Sequence, residues 1–233
     1  MTIRWDPLLT RALAHELDHE LSRARLRAVR LDGRTRDAML LFRGRTLVWR
    51  LHPQRLWVEA HPPIAPEPTD LRLRARVRRV YAPDDERIII FEFVEERGSG
   101  TGYEIIIELL GNRTNAVVTE GATRTVRHVL TTREGKRVVR VGQPYIPPDP
   151  GTRIGVDGDV DSDRWMQLLE PVPPTDRVRE LTRSVAWTSG LNAAAFLGAD
   201  VDEAGDLLTG HERWRSAVAN TVVRPVVLET SRG

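Results

Sequence analysis

Four arginines alternate with apolar residues in Leu71-Arg72-Leu73-Arg74-Ala75-Arg76-Val77-Arg78. On a strand, successive side chains point to opposite faces. Arg72, Arg74, Arg76 and Arg78 therefore form a ladder of guanidinium groups about 6.6–7 Å apart, while Leu71, Leu73, Ala75 and Val77 enter a core. A guanidinium fork matches a phosphate, so the ladder can track a polyanionic backbone; the same pattern also makes an ordinary solvated strand face. His15-Glu16-Leu17-Asp18-His19 spells a zinc-hydrolase pattern, two imidazoles one helical turn apart with a carboxylate between them. A zinc site needs a third ligand downstream, and no His or Glu stands at a natural third position. Asp157, Asp159, Asp161 and Asp163 alternate as in a calcium loop, but the position that should hold a bidentate Glu is Leu168, so the run reads as a solvated acidic linker. With no cysteine, thiol nucleophiles, disulfides and thiolate metal sites are excluded. There is also no Gly-x-Ser-x-Gly elbow, phosphate-binding loop or dinucleotide fingerprint. The sequence therefore predicts neither a metal nor a cofactor.

The chain is long enough, at 233 residues, to bury one large core or two small ones. The net charge of +2 is bland, and the use of Arg with a single lysine, Lys136, reflects composition more than function. The distribution says more. Nine arginines fall within residues 22–50 against Asp32 and Asp37, whereas the acids gather between Asp149 and Asp176. No run approaches the ~20 apolar residues of a membrane span, and no apolar signal core follows the start. A soluble, cytoplasmic protein without membrane contact is expected.

Several elements must position these groups. Asp6-Pro7 is a helix-start signal, and Leu9, Leu13, Leu17 and Leu21 give a stripe of about four turns. Strand patterns follow at Leu26–Leu31 and Ala38–Phe42 around an Asp32-Gly33 turn, then at Leu47–Leu51 and Leu56–Val58. The Pro-rich stretch 61–68 cannot continue a central strand and reads as a connector. After the arginine ladder, Arg87–Val94, Tyr103–Leu109, Asn115–Thr119 and Arg124–Thr131 complete about nine strands, enough for a sandwich or a curled sheet. Pro144 to Gly158 mark a boundary. Beyond it come helical patterns at Asp163–Glu170, Asp176–Trp187, Leu191–Leu197 and Asp202–Val218, and a final apolar run, Val222–Leu228. Thr188-Ser189-Gly190 reads as a turn between two short helices whose amides can face a phosphate.

Several strings, taken in order, resemble the N-terminal domain of the NFACT family, which includes bacterial ribosome quality control factors and proteins once named fibronectin-binding. The resemblance is carried by Trp5-Asp6-Pro7-Leu8-Leu9 with His15-Glu16-Leu17, by His52-Pro53, by Tyr103 to Leu110 followed by Gly111-Asn112-Arg113-Thr114-Asn115, and by Gly142-Gln143-Pro144-Tyr145-Ile146-Pro147-Pro148. It implies an α+β fold: an N-terminal helix and a β-sandwich-like body over 1–150, related to the N-terminal domain of formamidopyrimidine-DNA glycosylases. A linker over 151–175 and a helix-hairpin-helix bundle over 176–220 follow, and residues 221–233 begin a truncated strand region. The family helix after the Pro-rich connector is reduced here to Thr69–Leu73. The resemblance also implies that a coiled coil and a C-terminal RNA-binding domain are missing and that the chain is a fragment.

The resemblance further implies a module that binds obstructed large ribosomal subunits, their rRNA, and tRNA, and that supports C-terminal tailing of stalled nascent chains. In this family the ribosome makes the bond, so the chain is not expected to be an enzyme. The family's functional positions fall on Asp6, Glu86 and Arg87, and its basic-Ser-Asn block on Arg113 and Asn115; Glu86 stands where the family has Asp. Arg72, Arg74, Arg76 and Arg78 join them as candidate RNA contacts. Alternatives are a DNA-repair-like protein on the glycosylase fold, a zinc hydrolase through His15, Glu16 and His19, and an adhesin. The first lacks the Pro-Glu start of those enzymes, since the chain opens Met1-Thr2-Ile3.

Overall fold

The computed structural model describes residues 3–95, 102–149, 151–198 and 207–220. A helix, α1 (Pro7–Glu20), is followed by nine strands: β1 (Arg25–Asp32), β2 (Asp37–Phe42), β3 (Thr46–His52), β4 (Arg55–His61), β5 (Leu71–Tyr81), β6 (Ile88–Glu95), β7 (Tyr103–Glu108), β8 (Asn115–Glu120) and β9 (Thr125–Val129). They make one antiparallel sheet in the order β4-β3-β2-β1-β5-β6-β7-β8-β9. The connector 62–70 must return from the edge strand β4 to the sheet centre, past the three strands β3, β2 and β1. That path explains its prolines, which need no ladder partner.

The sheet is rolled. In a flat sheet β3 and β6 stand four inter-strand steps apart, roughly 19 Å. Here the Trp49 ring of β3 meets the Phe91 ring of β6 edge-on at 6.4 Å, and Trp5 lies 6.3 Å from Trp49 on its other side. The inward faces of β1–β8 and α1 thus share a single core. The seam is pinned where the Thr114 hydroxyl donates to the Leu51 carbonyl, and Arg36 donates to the Thr114 carbonyl at 3.0 Å. The expected sandwich-like body is therefore one curled sheet, with no break in its hydrogen-bonded order.

The curl also explains a change of pattern along the sequence. β5 alternates between solvent and core, whereas Ile88–Phe91, Ile105–Glu108 and Asn115–Thr119 are buried without interruption. Strands covered on one face alternate; those covered on both read as continuous apolar runs. The second cover is the returning chain 133–145, whose Val139 and Tyr145 pack on Ile88, Ile90, Ile106, Val117 and Val126. Glu108, buried between these layers, accepts hydrogen bonds from Arg137 and from the Tyr145 hydroxyl, and burial beside this carboxylate pushes the Tyr145 phenol far above its ordinary range.

A second core is built by α2 (Ser162–Leu169), α3 (Pro174–Ser184), α4 (Ala193–Leu197) and α5 (Leu207–Ala219) around Trp165, Trp187 and Trp214. Residues 151–175, expected as a linker, belong to this core. Gly155, at φ +75°, lies so close to Trp214 and Val160 that any Cβ would overlap them, and Trp165 and Leu169 are fully buried. The physical reason is that the acidic run is locally capping: Asp161 accepts from the Arg164 amide at 2.6 Å and starts α2, so the short helix 162–169 can carry Trp165 and Leu169 inward. The expected helix at 176–187 ends at Ser184, because Val185 extends to pair with Ile154. The final apolar run 222–228 and the expected truncated strand region lie outside the described residues.

The connector is anchored by a bidentate pair, Arg30 to Asp70 at 2.8 and 3.0 Å, and Asp70 also accepts from the Glu67 amide at 2.7 Å. Burial pushes the Asp70 carboxyl up, but Arg30 and the Glu67 amide together hold it below its ordinary 3.8. A carboxyl depressed on folding contributes stability that is present above the unfolded value and lost as pH falls through the folded one. Replacing Asp70 with Asn is expected to lower unfolding free energy at neutral pH by about 1.5–3 kcal/mol. In urea titrations across pH, the gap to wild type should close as the pH drops below that ordinary value.

Candidate nucleic-acid interface

The two cores meet at the N-terminal end of α1. Asp6 caps that helix, its Oδ1 accepting from the Leu9 amide at 2.8 Å. Its Oδ2 reaches across to the second core and accepts from Ser189 Oγ and Asn192 Nδ2, both at 3.2 Å. One carboxylate thus starts the first helix and ties down the turn that links α3 to α4. From the loop before β6, Asp85 makes the companion bond: Oδ1 accepts from the Trp187 amide at 2.7 Å, and Oδ2 pairs with Arg153 at 2.7 Å. Arg11 lies flat over the Trp187 ring, 4.1 Å from its centre, and donates to the Val218 carbonyl.

Two left-handed residues meet at this seam. Asp85 (φ +56°) and Trp187 (φ +65°) are both left-handed and are hydrogen-bonded to each other. For a bulky residue such as Trp this conformation costs of order 1–3 kcal/mol and persists only where the surroundings over-determine it. Here Trp187 is fully buried and its indole N–H donates to the Val156 carbonyl at 2.9 Å. The strained turn leaves Gly190 at the surface, with open space where a side chain would stand.

Two concavities share this seam. One, of about 420 Å³, is lined by Asp6, Glu86, Arg87, Arg153 and the 188–190 turn. The other, of about 390 Å³, is lined by Trp5, Pro53, Arg87, Gly111 and the turn at 189–191. Arg87, Trp5, Ser189 and Gly190 belong to both, so they form one cleft between the cores. Of the acids in it, Asp6 and Asp85 are committed to the seam, whereas the Glu86 and Arg87 side chains form no hydrogen bond or ion pair among the described residues. Burial, reinforced by Asp85 next to it, pushes the Glu86 carboxyl up; burial likewise raises Asp85, against the Trp187 amide and Arg153. The cleft therefore sets the Glu86 acceptor and the Arg87 cation side by side, beside an approachable glycine backbone, with the exposed Asp149 also on its lining.

The structure brings Asp6, Glu86 and Arg87 together, and it divides the remaining candidates. Arg113 is exposed on the three-residue turn Gly111–Arg113 at the rim of the cleft. Asn115 is not a contact residue: it is 0% exposed. Its Nδ2 donates to the Thr131 carbonyl at 2.9 Å, and its Oδ1 accepts from the Thr131 and Ala116 amides. It bridges the start of β8 to the end of β9, a role its spacing from Arg113 did not reveal. On β5, Arg74 and Arg78 stand exposed, Arg76 is half-buried, and Arg72 is exposed with its guanidinium donating to the Pro66 and Glu67 carbonyls at 3.2 and 3.1 Å. His15, Glu16 and His19 project from the solvent side of α1, and the described residues contain no group of three or more His, Cys, Asp or Glu able to hold a metal ion. No described helix is long and apolar enough to cross a membrane.

Sequence reasoning missed Asp85, Arg153 and Asn192, and read Ser189 only as part of a turn whose amides can face a phosphate. Asp85 adjoins Glu86 and was legible only as part of an acidic run; Arg153 and Asn192 lie more than sixty positions downstream, with no local pattern to mark them.

This assembly, a helix-capped curled sheet clamped onto a small tryptophan-rich helical core, has known relatives. A family model described as NFACT N-terminal and middle domains matches residues 6–204. The chain belongs to the NFACT family. No curated protein matches the sequence. Among solved structures, the N-terminal part of the fibronectin/fibrinogen-binding protein of Streptococcus suis is similar with a TM-score of 0.70 at 16% identity, over 91% of this chain and 85% of that one. The fibrinogen binding protein of Staphylococcus aureus gives 0.71 at 16% over 94% and 83%. The N-terminal domain of the fibronectin-binding protein PavA of Streptococcus pneumoniae gives 0.61 at 16% over 92% and 80%. At that identity the likeness establishes the fold and nothing of the ligand.

The double role of Asp6 is separable. Asp6→Ser retains an N-cap acceptor but is too short to span both cores, whereas Asp6→Ala removes both functions. Amide hydrogen exchange is expected to show faster exchange at 189–193 in both variants, and loss of protection in the first turn of α1 in Asp6→Ala alone. That variant should lose about 0.5–2 kcal/mol from the cap.

Proposed function

We propose that this chain is an RNA-binding module of a ribosome-associated quality control factor, one that engages obstructed large ribosomal subunits and tRNA and supports C-terminal tailing of the stalled nascent chain. The observation that carries this reading is the convergence, in one cleft of an NFACT-family chain, of Asp6 with the adjacent pair Glu86 and Arg87 from a distant segment. The chemistry of the cleft suits a nucleotide. Arg87 can hold a phosphate, and the half-buried Glu86 can accept from an exocyclic amino group on a base edge. Single-stranded loops and ends of RNA present such edges splayed out. Asp6 and Asp85 act by holding the seam, so they are positioning residues for whatever enters.

In this reading the helical core is related to helix-hairpin-helix modules and the sheet to the glycosylase N-terminal domain. The polypeptide recruits and positions RNA in the cytoplasm while the ribosome forms the peptide bond. The exposed ladder of β5 and Arg113 at the cleft rim add phosphate contacts.

Cosedimentation with large subunits from stressed cells tests the proposal at two salt concentrations. Bound protein should decline with salt, because each phosphate neutralised contributes about −0.9 to the slope of log K against log salt for a duplex and about −0.7 for a single strand. Arg87→Ala should weaken binding and make the slope shallower by about one. Glu86→Gln should alter preference among RNA sequences and leave the slope unchanged. Absence of binding, or binding indifferent to salt, overturns the reading.

A further inference from the structure

Away from the cleft, beyond the C-terminal end of α1, lies a concavity of about 530 Å³ lined by Arg25, Leu26, Arg27, Arg43, Arg72 and Arg74. Among the described residues that line it, five of six are arginines, and all five are exposed. They arrive from three places in the chain: the start of β1, the β2–β3 turn and the start of β5.

The sheet is distorted where they meet. Between Leu26 and Ala28, β1 takes two steps against one on β2, from Phe42 to Leu41, and against three on β5, from Ala75 to Arg72. Arg27 is thus a bulge residue toward β2, and Arg74 and Leu73 fill the matching slack on β5. Bulges re-aim side chains and recur beside binding sites. Arg72 is pre-set by its bonds to the Pro66 and Glu67 carbonyls, which leave the other N–H groups of its fork for a ligand.

The lining also says what is not recognised. Among the described residues it offers no aromatic ring for stacking and no side-chain acceptor for a base edge, so these arginines hold a ligand through its anionic oxygens. A short polyanion would fill the concavity and end there. The arginine-bearing face of β5, however, continues past it to Arg76 and Arg78, over six residue steps or about 20 Å. That continuation favours a polymer.

We propose that this five-arginine concavity is a second RNA seat, distinct from the cleft, that takes phosphodiester groups crowded together by a fold or sharp turn of the RNA backbone. The ligand's identity as RNA rests on the function proposed above; the site does not, since none of its residues lines the cleft. α1, 14 residues and so about 21 Å long, runs between the two. A ligand that touches both must therefore be extended, as a folded RNA is.

The test uses the full chain and the exposed pair variant Arg27→Gln/Arg74→Gln, with Arg87→Ala as the cleft variant. Affinity is measured for a transcribed tRNA and for an unstructured RNA of equal length, across salt, with inorganic tripolyphosphate as competitor. The pair variant is expected to lose about tenfold in affinity for the folded RNA, to make its salt slope shallower by about two, and to lose less for the unstructured one. Tripolyphosphate should weaken wild-type and Arg87→Ala binding more than that of the pair variant. If Arg87→Ala loses affinity while the pair variant binds both RNAs like wild type, this seat is overturned and the RNA reading of the cleft stands. If wild type binds neither RNA yet tripolyphosphate saturates it and not the pair variant, the concavity is a small-anion site and both RNA proposals fall.

Discussion

Trp49 has no exposed surface, although it sits on the third of nine strands, one place in from an edge. A flat sheet cannot bury such a residue without a second layer, and this chain supplies the layer by rolling the sheet until β6 covers β3. Everything that faces a ligand depends on that roll. It carries the end of β7 and the Gly111–Arg113 turn to the end of β3, where Thr114 is bonded to Leu51, and so sets Arg87, Gly111 and Pro53 around one opening. Burial of a tryptophan and its aromatic neighbours is among the larger single contributions available to a core. The cleft is thus placed by the most heavily buried part of the molecule.

The second core closes the cleft from the other side, and it is held by polar groups. Asp6 and Asp85 come from the first unit; their partners are a hydroxyl, an amide side chain, a backbone amide and a guanidinium from the second. Burial raises the Asp85 carboxyl, so it is a costly group to keep ionised in that position. Such a seam fixes the relative placement of the two cores through directed bonds, whereas apolar contact alone leaves sliding cheap. The left-handed Trp187 is consistent with that demand, because the surrounding bonds compel a conformation the residue does not favour.

Two groups of arginines contrast with each other. Arg30, Arg50, Arg124, Arg137 and Arg153 are partly buried and paired with Asp70, Asp37 and Glu59, Glu104, Glu108 and Asp85, respectively. Their positive charge is neutralised within the fold. Arg27, Arg43 and Arg74 instead stand exposed around a concavity with no acid among its described lining residues. An overall charge of +2 conceals this partition. The electropositive surface is local, on the outer face of β1 and β5, and local charge density is what draws a polyanion.

Much of the architecture is legible in sequence because it rests on short-range rules. Asp6-Pro7 starts a helix whatever follows, the alternation at 71–78 makes one face polar and one apolar, and the prolines of 61–68 cannot join a ladder. The family resemblance likewise named Asp6, Glu86 and Arg87 as a group. What the residues do to one another was decided by the tertiary structure. Asn115 looks like a turn-corner contact and is a buried bridge from β8 to the chain just after β9; residues 151–175 look like a linker and supply Trp165 to a core; five arginines from three segments meet where the register of β1 against β2 and β5 shifts. Local pattern reports which face a side chain takes, since that follows from backbone geometry within a few residues. Which distant side chain it meets there depends on the curl of the sheet and on the register of its strands, and no window of sequence contains those.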